Sequence, residues 1–391
     1  VIRVSFVLGT WQIVTLAAGL REASRQAPPS ARFEDHLVLY ETVAASDALK
    51  AAMHELAAVA WPWQRVIDAF EFFPCVRRRI RQREFGRLVA ELRARLGLER
   101  IDEVWLCWTT RAPEKLILDA YPEARIAVYE DGLFSYLPLP LTPPEPPGAR
   151  AWLRERLDAW RPVRRFRRYK DWLDPRHAAR FSGAWMVLAD LAPAPGALSH
   201  MPRHAIGDAA LRETLDACSR IGAAASMPLA PSERPRVLVL GQSLSRWNAV
   251  TRADELALYR SVIGRVLARG YDVWWKEHPR VQQPFFDELN EGREAGRVHR
   301  LDLPFALPVE LVAGRLDLAA CVAGISTALF YLPRLFGTPA YTFADELAPM
   351  LSTGWVAWRE QNDLVRSRVA PLDALPPASS IAAARPARSC S

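Results

Sequence analysis

Short apolar runs alternating with stretches of helical length constrain this chain more than any other feature. The runs are Val1–Leu8, His36–Glu41, Glu103–Trp108, Arg125–Tyr129, Arg236–Leu240, Asp272–Lys276, Val298–Leu301 and Leu316–Ala320. Between most of them lie helical patterns such as Trp11–Arg25, Ala44–Ala60, Glu84–Leu96, Ala253–Arg269 and Ser326–Phe336. A strand covered on both faces is apolar throughout, and joining two such strands in parallel requires a crossover, usually a helix. The pattern predicts an α/β chain with parallel sheets.

The runs form two groups. Between them, Asp190–Pro235 is rich in small residues and holds Pro193, Pro195, Pro202, Pro228, Pro231 and Pro235, the punctuation of an interdomain connection, with a helix at Ala209–Ile221 inside it. Two facing Rossmann-like domains with an interdomain cleft are expected. Residues 1–200 form the first, carrying a Pro/Arg-rich insert at 137–180; 201–235 link to the second at 236–355. Residues 356–391 read as a partly disordered tail, its end Pro371–Ser391 being low in complexity.

The apolar segment Val4–Leu20 is marginal for the ~20 residues a bilayer needs. It divides at Gly9-Thr10 into a strand and a helix, the opening of a parallel domain. No signal peptide is expected. Five cysteines without a C-x-x-C give neither a disulfide framework nor a thiolate zinc site, which fits a reducing, cytoplasmic setting.

The net charge of +7 rests on arginine, since only Lys50, Lys115, Lys170 and Lys276 are lysines. Arg150–Arg180 concentrates ten arginines and Lys170 among Trp152, Trp160, Phe166, Tyr169 and Trp172. Such a segment suits peripheral contact with the inner face of a membrane, an acidic polymer, or a solvated amphipathic helix pair. No DNA- or RNA-binding signature accompanies it, so no nucleic acid partner is expected.

Four constellations sit where parallel sheets place active sites, at strand C-terminal ends. Glu130-Asp131-Gly132 follows Arg125–Tyr129 and offers two carboxylates before a glycine able to turn sharply. Lys276, His278 and Pro279 end Asp272–Lys276 and offer donors to a phosphate. Glu310 opens a helix, where the dipole favours a carboxylate and where vicinal ribose hydroxyls can be held. Ser326-Thr327 open a helix whose amino end can cradle an anion, or cap it. A Walker loop, a G-x-G-x-x-G, a nucleophile elbow and a D-x-D metal motif are all missing from the sequence.

In this order the motifs resemble the bacterial polysialyltransferase family and, more loosely, bacterial sialyltransferases of GT-B architecture. Those families carry a D/E-D/E-G motif, an H-P motif and a downstream S-S/T motif, matched here by Glu130–Gly132, His278-Pro279 and Ser326-Thr327. Gly241-Gln242-Ser243 is similar to the family's strand-then-Gln element, and Thr10-Trp11-Gln12 to a small-x-Gln turn near the amino terminus; the likeness spans roughly residues 1–350. It implies Glu130 as the general base, with Asp131 supporting it or touching the acceptor beside Thr10, Gln12 and Gly132. His278 would donate to the leaving phosphate of a CMP-sugar, as general acid or hydrogen-bond donor, and Ser326 and Thr327 would hold that phosphate. Glu310 would bind the ribose, and Gln242, Ser243, Lys276 and Pro279 would line the nucleotide-sugar site.

The implied activity is inverting, metal-independent transfer of a sialic-acid-like sugar from CMP to a glycan or glycolipid hydroxyl of a capsule or lipopolysaccharide, with no cofactor. The 137–180 insert has no counterpart in the family pattern and leaves the acceptor open. Alternatives are a CMP-Kdo-type transferase, a CDP-alcohol polymer phosphotransferase and a non-catalytic basic protein that binds an acidic polymer.

Overall fold

The computed structural model describes residues 1–41, 45–73, 82–107, 112–137, 177, 179–191, 201–225, 233–281, 283–291, 296–301, 303–304, 306–351 and 356–380. The chain divides into two compact units, Val1–Asp131 with Ser135–Ala217 and Gly132–Phe134 with Cys218–Ser391.

The first unit is built on a parallel sheet of β1 (Ile2–Val7), β2 (Glu34–Leu39), β3 (Arg65–Asp68), β4 (Glu103–Leu106), β5 (Arg125–Tyr129), β6 (Phe181–Met186) and β7 (Arg203–Ala205). Its spatial order is β3-β2-β1-β4-β5-β6-β7. The second contains β8 (Arg236–Leu240), β9 (Asp272–Lys276), β10 (Val298–Arg300), β11 (Leu318–Ala323), β12 (Ala340–Thr342) and β13 (Ala370–Pro371). These strands also pair in parallel, in the order β10-β9-β8-β11-β12-β13. Each sheet therefore reverses its build direction once, between β1 and β4 and between β8 and β11. A doubly wound sheet opens its ligand crevice at that reversal, beyond the strand carboxyl ends.

Central strands are the apolar runs of the sequence. Val237, Leu238 and Val239 of β8 and Cys321, Val322 and Ala323 of β11 are fully buried, as strands covered by helices on both faces must be. β11 lies two residues later than the Leu316–Ala320 run suggests, because Leu316 ends a turn after the helix Glu310–Ala313.

Several expectations change. Arg203–Ala205 pairs with β6, and the helix Asp208–Ala225 begins within the first unit, so 201–235 is not simply a linker. Nor is the chain beyond 356 a loose tail. Val356–Arg368 is a helix and Ala370–Pro371 adds the edge strand β13 beside β12. The Asp373 carboxylate receives Arg265 and Arg269, and the Tyr271 hydroxyl donates to the Pro376 carbonyl at 2.7 Å. Residues 381–391 lie outside the described residues.

So does nearly all of the 137–180 insert, including the membrane and polymer contacts expected of 150–180. Its last arginine has an internal task. Arg180 donates to the carbonyls of Leu118, Tyr121 and Ala124 at 3.0, 2.6 and 2.9 Å, closing the end of the helix Ala112–Ala120. Among the described residues no helix is long and apolar enough to cross a membrane.

A buried ion pair ties β1 to β2. Arg3 grips Asp35 through two bonds of 2.6 and 2.7 Å, lies over the Phe33 ring, and shares Asp35 with the Trp61 indole at 2.9 Å. Asp35→Ala strands the guanidinium in the interior, an error worth about 3–5 kcal/mol. Urea denaturation should show that loss, and a midpoint within experimental scatter of the parent would refute the account.

Candidate active site

The first unit gathers its polar groups at the carboxyl ends of β1, β5 and β6. Chain direction leaving β5 sends successive side chains to opposite sides. Glu130 turns inward and is fully buried. It accepts from the Val187 N–H at 2.7 Å, the Leu188 N–H at 3.4 Å and the Tyr136 hydroxyl, closing the turn after β6. Burial and the neighbouring Glu130 carboxylate push the Tyr136 phenol well above its ordinary value, so its proton stays in place to donate.

Asp131 turns the other way and is half-buried. The Gln12 amide donates to its carboxylate, while the Gln12 carbonyl accepts from the Leu8 N–H at 2.7 Å. Thr15, one turn further along the helix Thr10–Gln26, donates to the Glu130 carbonyl at 3.0 Å. The helix thus fixes the acidic corner from behind. Gly132 follows with φ of +76°, where a side chain would be strained, and the Ser135 hydroxyl accepts from the Asp131 N–H at 2.7 Å. Thr10 and Gln12 are themselves buried.

In the second unit the loops after β8, β9 and β11 stand around the sheet's reversal point. The Gln242 carbonyl accepts from the Ile325 N–H at 2.7 Å, joining the first loop to the one that carries Ser326 and Thr327. Ser243 is buried and sits in the left-handed region at φ of 55°. Gly324 lies under Phe343, where a Cβ would come within 2.7 Å of the ring, so only glycine fits. Ser326 and Thr327 are half-buried; the helix begins at Ala328, whose N–H the Ser326 hydroxyl accepts at 3.2 Å. The hydroxyls therefore lie in the turn before the helix.

The H-P turn after β9 is held from three sides. Glu277 accepts from the N–H groups of Phe285 and Phe286 at 2.6 and 3.0 Å, Val281 bonds back to the His278 carbonyl at 3.0 Å, and Arg246 donates to the Arg280 carbonyl. The Arg280 N–H donates to His278 Nδ1 at 3.1 Å. In the neutral ring this places the proton on Nε2 and makes that edge a donor. Burial, then the cations of Arg280, Lys276 and Arg246, lower the His278 pKa to about 3, so the ring is neutral at ordinary pH. Part of His278 and of Pro279 still reaches the surface.

Lys276 and Glu310 form a second buried pair of ionisable groups. Burial pushes Lys276 down to about 8 against the pull of Glu310 and Glu277. It pushes Glu310 up to about 7 against its own backbone N–H and Lys276. Beside the H-P turn and the loop after β8 lies a cavity of about 700 Å³, lined by Ser243, Arg246, Asn248, Arg252 and Gln283 among others. Among the described residues no three His, Cys, Asp or Glu side chains group as a metal site.

Residues 96–345, more than half of the 391, match the Alpha-2,8-polysialyltransferase (POLYST) family. The chain belongs to that family. As a member of the polysialyltransferase family it is a glycosyltransferase, and its two doubly wound sheets give the α/β, GT-B-like class expected. No curated protein matches it. Among solved structures, the 2,6-sialyltransferase of Vibrionaceae Photobacterium sp. JT-ISH-224 is similar with a TM-score of 0.50 and 11% identity, over 97% of this chain and 80% of that one. The UDP-GlcNAc 2-epimerase from Methanocaldococcus jannaschii gives 0.49 at 14% identity, over 88% and 84%. A sialyltransferase from Photobacterium damselae, residues 113–497 corresponding to the GT-B domain, gives 0.45 at 10%, over 94% and 96%.

These motifs thus occupy strand ends, but Gln12 and Gln242 spend their polar atoms on the backbone or a neighbouring carboxylate, and Glu130 accepts two backbone N–H groups and the Tyr136 hydroxyl on a single oxygen. Glu277, Glu255 and Tyr136, which shape these loops, carry no motif of their own. Glu310 also provides a stability test. From pH 4.5 to about 7 the folded chain retains a proton there that the unfolded chain has released, so stability falls as pH rises through that window. Glu310→Gln removes this slope, and its stability relative to the parent should grow by up to about 3 kcal/mol across the interval. Parallel urea-midpoint curves for the two proteins would refute it.

Proposed function

We propose that this chain transfers a sialic-acid-like nonulosonate from a CMP-sugar to a hydroxyl of a surface glycan, with inversion and without a metal ion. The observation that carries the reading is the H-P turn, where a neutral imidazole with its Nε2 proton fixed by Arg280 lies within the field of three cations. CMP leaves with a single phosphate. When the bond from the sugar's anomeric carbon to that phosphate breaks, the electron pair and its charge go to the phosphate oxygen. Donors fixed there stabilise the charge without reorganising. His278 supplies one, and the Ser326 and Thr327 hydroxyls supply others.

Glu310 and Lys276 suit the ribose and the nucleotide in this reading, with Ser243 and Pro279 at the edge of the same loops. The acceptor hydroxyl attacks the anomeric carbon from the opposite face, and its proton passes to a carboxylate. Asp131, half-buried and aimed by Gln12, is assigned that role in place of Glu130, which is fully buried with its Oε2 taken up by the turn after β6. A base must come within about 2.6–3.2 Å of the proton it takes. The Photobacterium sp. 2,6-sialyltransferase was solved with the donor product CMP and the acceptor lactose, the ligand classes proposed here.

Calorimetric titration with CMP, CDP and UDP, with and without Mg²⁺, tests the donor. CMP is expected to bind best without metal, and His278→Ala to weaken it at least tenfold. A preference for UDP, or binding that requires Mg²⁺, would overturn the assignment.

The carboxylates separate by a second measurement. Asp131→Asn should lower transfer from a CMP-sugar by about 10²–10⁴-fold with the unfolding midpoint retained. Glu130→Gln should lower the midpoint first, because a neutral amide carbonyl, a weaker acceptor, then replaces the carboxylate oxygen on which two backbone N–H groups and the Tyr136 hydroxyl converge. Equal stability for both variants, with activity lost only in Glu130→Gln, would return the base to Glu130.

A further inference from the structure

The helix Arg252–Ala268 contains two buried polar side chains that no motif singled out, Glu255 and Tyr259, one turn apart and both without exposure. Glu255 accepts from the Leu244 N–H at 2.8 Å and the Tyr259 hydroxyl at 2.6 Å on one oxygen, and from the Ser245 N–H at 2.8 Å on the other. The Tyr259 hydroxyl in turn accepts from the Gln242 N–H at 2.7 Å. Gln242 passes the connection on, its side-chain carbonyl accepting from the Ile325 N–H at 2.7 Å. Ile325 immediately precedes Ser326 and Thr327.

We infer that Glu255 and Tyr259 are positioning residues that set the loops after β8 and β11 relative to one another, and thereby place Ser243, Ser326 and Thr327 for the phosphate. The inference rests on the donor reading above for the word phosphate; the network itself does not.

Three physical points support a positioning role. A buried carboxylate is costly unless its oxygens are filled, and here each is filled by the loop it holds. Tyr259 cannot drift to the phenolate, since burial and the adjacent Glu255 carboxylate raise its pKa well above the ordinary value. It therefore donates to Glu255 and accepts from Gln242 at the same time, which fixes the direction of every bond in the chain. Finally, the loop so held contains Ser243 and Asn248, both non-glycine residues at φ of 55°. Such conformations persist only where the surroundings over-determine them. Both residues face the cavity beside the H-P turn.

The test compares Tyr259→Phe with Tyr271→Phe, which loses a part-buried hydroxyl bond to the Pro376 carbonyl in the same unit, at the amino end of β9 rather than among the loops at the strand carboxyl ends. In the unliganded protein, amide hydrogen exchange at Gln242 and Ile325 should rise about tenfold in Tyr259→Phe and stay at parent values in Tyr271→Phe. For CMP, Kd, and for the CMP-sugar donor, KM, should rise about tenfold in Tyr259→Phe with the unfolding midpoint close to that of the Tyr271→Phe control. Glu255→Gln keeps one accepting oxygen and should fall between Tyr259→Phe and the more disruptive Glu255→Ala in CMP affinity. Unchanged exchange at Ile325 in Tyr259→Phe overturns the relay. So does an equal loss of affinity in both tyrosine variants. Should the parent protein fail to bind CMP, the donor reading falls, while the exchange result still decides whether Glu255 and Tyr259 couple the two loops.

Discussion

Three glutamates make the strand-end loops possible. Glu130 takes the N–H groups of Val187 and Leu188, Glu255 those of Leu244 and Ser245, and Glu277 those of Phe285 and Phe286. In each case one buried or nearly buried carboxylate receives two successive backbone donors. Loops normally run over the surface because their backbone groups need water. These loops are drawn in against the sheet, and water is replaced by a carboxylate. Helix amino ends could not serve, because their own N–H groups compete for acceptors. The arrangement gives the loops a rigidity that hydrophobic packing alone does not provide, since it fixes direction as well as distance.

That economy explains which parts of the fold were legible. β5, β8 and β9 have the bounds of their apolar runs, because a central parallel strand must be apolar on both faces. β3, with three of its four residues exposed, and β7, with none buried, carry no such signal. β13 consists of Ala370 and Pro371 at a sheet edge, where a strand tolerates proline. A composition rich in Pro, Ala and Arg reads as a frayed end, yet Arg265, Arg269 and Tyr271 hold Asp373 and Pro376 in place. Nothing in the local sequence reports a partner a hundred residues away.

The candidate site was legible as a set of positions and less so as a set of roles. His278, Ser326 and Gly132 stand where the strand pattern puts them. Glu130 and Asp131 are chemically alike and adjacent, so their division of labour depends on which way β5 releases each side chain and on the turn after β6, which arrives more than fifty residues later. Gln12 reads as a polar residue near a possible substrate, but its amide is spent on Leu8 and Asp131. Glu255 and Tyr259 look like one turn of an ordinary helix, since i and i+4 neighbours meet on any helix face.

In the proposed reaction, the charge state of His278 would connect this architecture to catalysis. An imidazolium among Arg280, Lys276 and Arg246 would already bind the singly charged phosphate of the intact donor strongly, and the part of that binding shared with the departing phosphate lowers KM without speeding the bond-breaking step. Burial, and then these cations, keep the free ring neutral instead. A neutral Nε2–H donates to the single charge of a phosphodiester weakly and to the second charge that appears on departure more strongly. That same second charge offsets the neighbouring cations and makes the ring more basic, so the bond tightens as the leaving group separates. In the proposed donor complex the cations would act twice: they would attract the phosphate directly and, together with burial, reserve the imidazole's response for the moment when charge develops.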